Sequence, residues 1–212
     1  MLSTTTTKRL FSNNNFYGAL PGGFSKESLQ QWSIQTWKEE DNNKTNDSLQ
    51  IDDPYVDLFS QSISTNSIEY LNNSKVFPSN QLLSCFFTSK YFLPERIILT
   101  PFLYNDTTVR TTGSNETTEF KMNDQYLAWK VKSHSPLEII CSWKITNTIK
   151  GFTMIAYDPQ LRKVYHGNCM HVLDEVKISG LFLHVIIPLH VRYARLLLHG
   201  MVEEIEKKST LK

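Results

Sequence analysis

Residues 136–145 read PLEIICSWKI, and the fold turns on this stretch. In an extended chain Leu137, Ile139, Cys141, Trp143 and Ile145 fall on one face, with Glu138, Ser142 and Lys144 opposite. Side chains with a period of two predict a strand with one apolar face, the other turned toward water or a ligand. Downstream, residues 151–157 (GFTMIAY) predict a second strand, and Asp158-Pro159-Gln160 a turn. Residues 162–172 (RKVYHGNCMHV) return as its hairpin partner. Upstream, Phe120 to Met122 and residues 126–131 (YLAWKV) give one more strand region, with Leu127, Trp129 and Val131 on a common face. Consecutive strands with short connections predict an antiparallel meander.

Beyond the meander the period changes. Pro188 opens PLHVRYARLLLHGMVEEIEKK, where Val191, Ala194, Leu198, Met201, Val202 and Ile205 recur at helical spacing. Glu203, Glu204, Glu206, Lys207 and Lys208 fall mainly on the other side, and the lysines suit the negative helix end. Ahead of the meander, Tyr55-Val56-Asp57-Leu58-Phe59 predicts a first strand after the Asp52-Asp53-Pro54 turn signal. Ser64 or Thr65 can cap a short helix over Asn66 to Leu71, and a second covers Asn80 to Phe87. A third would begin at Pro94, with Glu95 at its positive end; Tyr104 to Thr118 is a polar surface loop. The expected class is α+β: a curved antiparallel sheet wrapped around a long C-terminal helix. This is the helix-grip arrangement, and it leaves a cavity between sheet and helix.

The domain so outlined spans residues 51–212, and residues 1–50 form a polar leader and linker expected to be disordered. Residues 1–25 hold Lys8, Arg9 and a Ser/Thr run but no acid, the composition of an organelle-targeting presequence. Arg9-Leu10-Phe11-Ser12 looks like a mitochondrial processing site; a disordered Thr/Asn tail on a cytoplasmic protein is the alternative. From Ser25 a short amphipathic piece (Leu29, Trp32, Ile34, Trp37) runs into KEEDNNKTNDS, a linker composition; its tryptophans would dock on the domain or bind a partner.

Composition narrows the function classes. The chain has 212 residues, 40% hydrophobic and 20% charged, and 12% aromatic, enough apolar surface for a core. A net charge of +1 gives no field for phosphate partners, so nucleic acid is not an expected ligand. No run approaches the roughly 20 apolar residues of a membrane span, so the chain is expected to be soluble. Cys85, Cys141 and Cys169 show no metal or CxxC spacing; the first two, in apolar surroundings, read as buried small hydrophobes of a reducing compartment. No GxGxxG, GxxxxGK[ST] or GxSxG pattern occurs, and no cofactor is expected.

Several patterns together resemble a known superfamily. They are Asp57-x-Phe59, Phe77-Pro78, Phe92-x-Pro94-Glu95-Arg96-x-x-Leu99, Asp124-x-Tyr126-Leu127 to Val131, and Gly180-x-Phe182 with Pro188-x-His190-x-x-Tyr193. Over about residues 52–207 they resemble domains of unknown function placed in the START-like, polyketide-cyclase-like superfamily. That resemblance implies binding of a lipid, quinone or polyketide more often than catalysis, and brings no shared catalytic set.

Candidate site residues follow from the expected cavity: Arg96, Tyr126, Trp129, Glu138, Trp143, Tyr157 and His190. Trp129 and Trp143 serve equally as core or as cavity wall. Glu138 or His134 with Tyr126 or Tyr157 could make an acid/base pair; alternatively Glu138 pairs with Lys130 or Lys144 on neighbouring strands. Arg96 could reach an acidic head group or clamp its own helix. His166 and His171 would point to opposite faces of one strand, so one metal could not use both. His190 and Arg192 are expected at backbone or solvent. Three readings stand: a binder of a hydrophobic small molecule, a cyclase- or hydratase-type enzyme using His134, Glu138 and Tyr157, and a protein interaction module.

Overall fold

The computed structural model describes residue 20 and residues 23–42, 54–94, 97, 119–144, 149–172 and 187–211. The chain is α+β. Helix α1 (Lys26–Asn42) precedes strand β1 (Tyr55–Ser62), helices α2 (Thr65–Asn72) and α3 (Pro78–Thr88), and a 3-10 turn at Lys90–Phe92. Strands β2 (Gln125–Tyr126), β3 (Trp129–His134), β4 (Glu138–Lys144), β5 (Ile149–Asp158) and β6 (Lys163–Val172) follow, and α4 (Ile187–Thr210) closes the chain. All six strands pair antiparallel in the order β1-β6-β5-β4-β3-β2. The first strand thus joins the last, so β1 carries its residues to the far edge of the meander.

Local chemistry explains the element ends. Ser64 caps α2 by accepting the Ser67 backbone N–H at 3.2 Å. Pro78 occupies the first turn of α3, where its missing N–H costs nothing. Asp158 Oδ1 accepts the N–H groups of Gln160 and Leu161 at 2.8 and 2.9 Å, tying the β5–β6 turn. Leu127 has φ 52°, so it sits in the tight connection between β2 and β3 and not on the apolar strand face expected of it. Phe120 to Met122 likewise leads into a turn, where Asp124 Oδ2 accepts the Lys121 N–H at 2.9 Å.

Both faces of the sheet are covered. Trp129, Val131, Ile139, Cys141, Ile155, Tyr157 and Val164 face α3 and α4, meeting Leu82, Phe86, Phe92, Leu198, Met201 and Ile205. Each fully buried side chain of this size contributes roughly 1.5–3 kcal/mol. On the other face Ile140, Phe152, Met154, Ala156 and Cys169 meet Leu20, Leu29 and Trp37. Leu29, Ser33 and Trp37 recur every four residues along α1 and are all buried, so that helix, from the stretch assigned to a leader, docks on the sheet. Trp37 stacks on Phe152 at 5.0 Å, and Trp32 meets the same ring edge-on at 5.0 Å. The face of β4 expected to meet water or ligand is therefore buried at Ile140 and Glu138. A strand covered on both sides carries continuous apolar runs, which is what Ile139-Ile140-Cys141 is.

The three cysteines are free and buried, and burial pushes the Cys141 and Cys169 thiols up to about 12. Among the described residues no helix is long and apolar enough to cross a membrane. The presequence-like residues 1–19, the 104–118 loop, and Glu95 with Arg96 lie outside the described residues.

Candidate functional site

The helix-covered face carries one polar row within its apolar surroundings. Antiparallel register sets Asp57 of β1 opposite Asn168 of β6, and Asn168 opposite Thr153 of β5. All three are buried. They join in a chain of hydrogen bonds that runs one way. Trp129 Nε1–H donates to Thr153 Oγ1 at 3.4 Å, and Thr153 Oγ1–H donates to Asn168 Oδ1 at 3.0 Å. Asn168 then donates both its backbone N–H and its side-chain Nδ2–H to Asp57 Oδ1, at 3.2 and 3.1 Å. Four elements of polarity thus converge on one carboxylate, and each bond polarises the next.

The second carboxylate oxygen faces the start of α4. His190 Nε2 lies 3.1 Å from Asp57 Oδ2 without the alignment of a hydrogen bond. The His190 ring also meets Tyr55 edge-on at 6.1 Å. His166, on the same face as Asn168 and two residues before it, is 1% exposed. Its Nδ1 lies 3.0 Å from the Ala194 carbonyl of α4, and its ring packs on Phe86 at 5.3 Å. Burial pushes its basicity down to about 4, against the opposing pull of the Asp57 carboxylate. A carboxylate and two imidazoles therefore meet where β1, β6 and α4 come together.

The sequence-derived site residues divide between this cluster and other places. Trp129 and His190 belong to it, at opposite ends of the row. Trp143 lies beside it: its ring occupies the space a Cβ on Gly151 would fill, two residues along β5 from Thr153. Tyr126 stacks on Phe87 at 4.2 Å. Tyr157 shares the helix-covered face but sits four residues further along β5, its hydroxyl pushed up to about 12 by burial. Glu138 is buried with opposite parity to Ile139, hence on the α1 face. His134 contacts Phe77 at 5.8 Å, at the start of α3. Strand parity therefore separates Glu138 from Tyr157 by the thickness of the sheet. The register also sets Ala156 opposite Glu138, Ser142 opposite Lys130 and Lys150 opposite Lys144, so neither lysine is its cross-strand neighbour. His166 and His171 do point to opposite faces, toward Phe86 and toward Trp37.

Asp57, Thr153, Asn168 and His166 were not among the sequence candidates. A signal existed for Asp57: in Tyr55-Val56-Asp57-Leu58-Phe59 it shares strand parity with two aromatic residues, which marks it as an inward carboxylate. His190 is partly exposed, as expected, and in addition meets the buried Asp57 carboxylate. Among the described residues no group of three or more His, Cys, Asp and Glu side chains is placed to hold a metal ion.

A shallow groove of about 370 Å³ lies elsewhere, on the outer face of α1, lined by Gln31, Ile34, Gln35, Lys38 and Glu39. It is open and built from a single helix, without convergent polar groups. The polar row has the chemistry of a site, and the groove has only shape. No family model matches this chain, and no match was found among curated proteins or solved structures.

Proposed function

We propose that the protein binds a hydrophobic small molecule, a lipid, quinone or similar compound, between the sheet and α4 in a helix-grip arrangement of START-like type. The observation that carries this reading is the buried row Trp129–Thr153–Asn168–Asp57, ending beside His190. Holding a carboxylate and three polar side chains in an otherwise apolar core costs stability compared with packed aliphatic residues. A role in orienting a ligand would offset that cost. The aromatic residues around the row, Phe87, Phe92 and Trp129, supply apolar walls for the body of the ligand. Native mass spectrometry of the full chain, purified gently and followed by solvent extraction, tests this. A stoichiometric apolar adduct that Asp57→Asn weakens is the expected result. A clean apo mass that persists after incubation with lipid and quinone extracts would overturn it.

The Asp57–His190 contact favours a second reading, acid/base catalysis on the bound molecule. A carboxylate within 3.1 Å of a partly exposed imidazole is a pairing from which a general base could be built, once the two align. In this reading the pair stands in place of the His134, Glu138 and Tyr157 set, of which Glu138 lies across the sheet from the other two. His190→Gln distinguishes the two: retained ligand with lost turnover favours the enzyme, and unchanged chemistry of the ligand favours the binder. Import into mitochondria belongs to the same proposal. Residues 1–30 fused to a fluorescent protein should direct it there, and a diffuse cytosolic signal would end that part.

A further inference from the structure

The cluster of Asp57, His166 and His190 says which end of a ligand it would accept. Asp57 Oδ2 is an acceptor. The tautomer of His166 is set by its surroundings: Nδ1 faces the Ala194 carbonyl, which can only accept, so the proton sits on Nδ1 and Nε2 bears a lone pair. Both Asp57 Oδ2 and His166 Nε2 are buried, and neither has a hydrogen-bond partner among the described residues. His190 Nε2 lies 3.1 Å from Asp57 Oδ2 but does not make a hydrogen bond with it. Two buried acceptors on adjacent strands, on one face and coupled electrostatically, leave donor capacity unfilled. His190 is the only one of the three that is partly exposed, so it marks the side from which the cluster is reached.

We infer that this cluster receives the hydrogen-bond-donating head of the apolar ligand, an O–H or N–H group bridging Asp57 and His166, and that it rejects carboxylate and phosphate heads. The inference rests on the binding function proposed above. An anionic head would set its own lone pairs against two acceptors, Asp57 Oδ2 and His166 Nε2, and the Arg195 guanidinium on this side of the sheet is stacked over the Phe59 ring at 5.0 Å. The Asn168 side chain is already committed to Asp57, and its carbonyl to Thr153, so the row cannot turn a donor toward an anion without breaking itself.

Binding of dodecanol, dodecylamine and dodecanoic acid to the full chain, measured by isothermal titration calorimetry, decides the matter. Dodecanol or dodecylamine should bind at least about tenfold more tightly than dodecanoic acid, the scale of one hydrogen bond to a charged acceptor. Preference for the amine over the alcohol would assign a cationic head, and the reverse a neutral hydroxyl; both support the inference. Asp57→Asn should abolish the discrimination. His166→Gln should reduce it, and serves if the first variant fails to fold by circular dichroism. If all three compounds bind alike, or the acid binds best, the head-group assignment falls while the binding function stands. If none binds, the binding function falls with it.

Discussion

His166 sits neutral between β6 and α4, with Nδ1 on the Ala194 carbonyl and Phe86 against its ring. Burial lowers its affinity for protons from the ordinary 6.5 to about 4. The unfolded chain therefore binds a proton that the folded chain refuses between those two values, and stability must fall as pH drops through that window. The loss attributable to this one group is on the order of 3 kcal/mol once pH reaches about 4. Urea unfolding across that range should show the slope, and His166→Gln should flatten it; an unchanged slope would mean that His166 is not held neutral. Asn168→Ala removes one donor from Asp57 and the acceptor of Thr153 together, and should cost roughly 1–3 kcal/mol by the same measurement. The row was hard to read in the sequence because its members lie 111 and 15 residues apart, and only register brings them together. Asp57 alone could be marked as inward, from the parity it shares with Tyr55 and Phe59. The Asp57 contact of His190 was not legible because its partner lies on the far edge strand, which no local pattern reveals.

At the scale of elements, strand alternation placed the apolar face of β4 and the inward positions of α4 well. Ala194, Leu198, Met201, Val202 and Ile205 are buried as the helical spacing requires. What alternation missed was the second layer. Alternation alone places Glu138 on a face toward water or a ligand because nothing local says that α1 covers it, and Ile140 on that face is buried under the same helix. The role of α1 makes a firm expectation: Trp37, fully buried between Phe152 and His171, should cost about 3–5 kcal/mol when cut to Ala. A loss under ~1 kcal/mol in a denaturant titration would show that α1 does not hold its place on the sheet. Gly167 lies beneath this helix, where a Cβ would meet the Leu29 side chain at 2.9 Å. Gly200 makes the equivalent close approach on the other face, against Ser89 and Tyr91. Gly200→Ala should therefore destabilise by overpacking, about 1–3 kcal/mol, despite the better helix propensity of Ala.

Taken whole, the chain is an antiparallel sheet with α1 on one face and α3 and α4 on the other. The α1 face buries Glu138, His171 and Ser33 among its apolar side chains. On the opposite face the hydrogen-bonded row runs from Trp129 to Asp57, and that connected row is the basis for proposing a ligand there. Of the seven residues expected around a helix-grip cavity, Trp129 and His190 lie at the ends of the row and Trp143 beside it. Tyr126 pairs with Trp129 and stacks on Phe87, and Tyr157 lies four residues from Thr153 on the same face of β5. Of the described candidates Glu138 alone turns to the α1 face, which strand alternation read without α1 could not separate from a ligand face. The measurement that tests the ligand site most directly is amide chemical-shift mapping of the full chain as dodecanol is added. The expected result is a set of shifts centred on Thr153, Asn168 and His190, growing to saturation. Shifts confined to the outer groove of α1 at Gln31, Ile34 and Lys38, or no shifts at all, would contradict it.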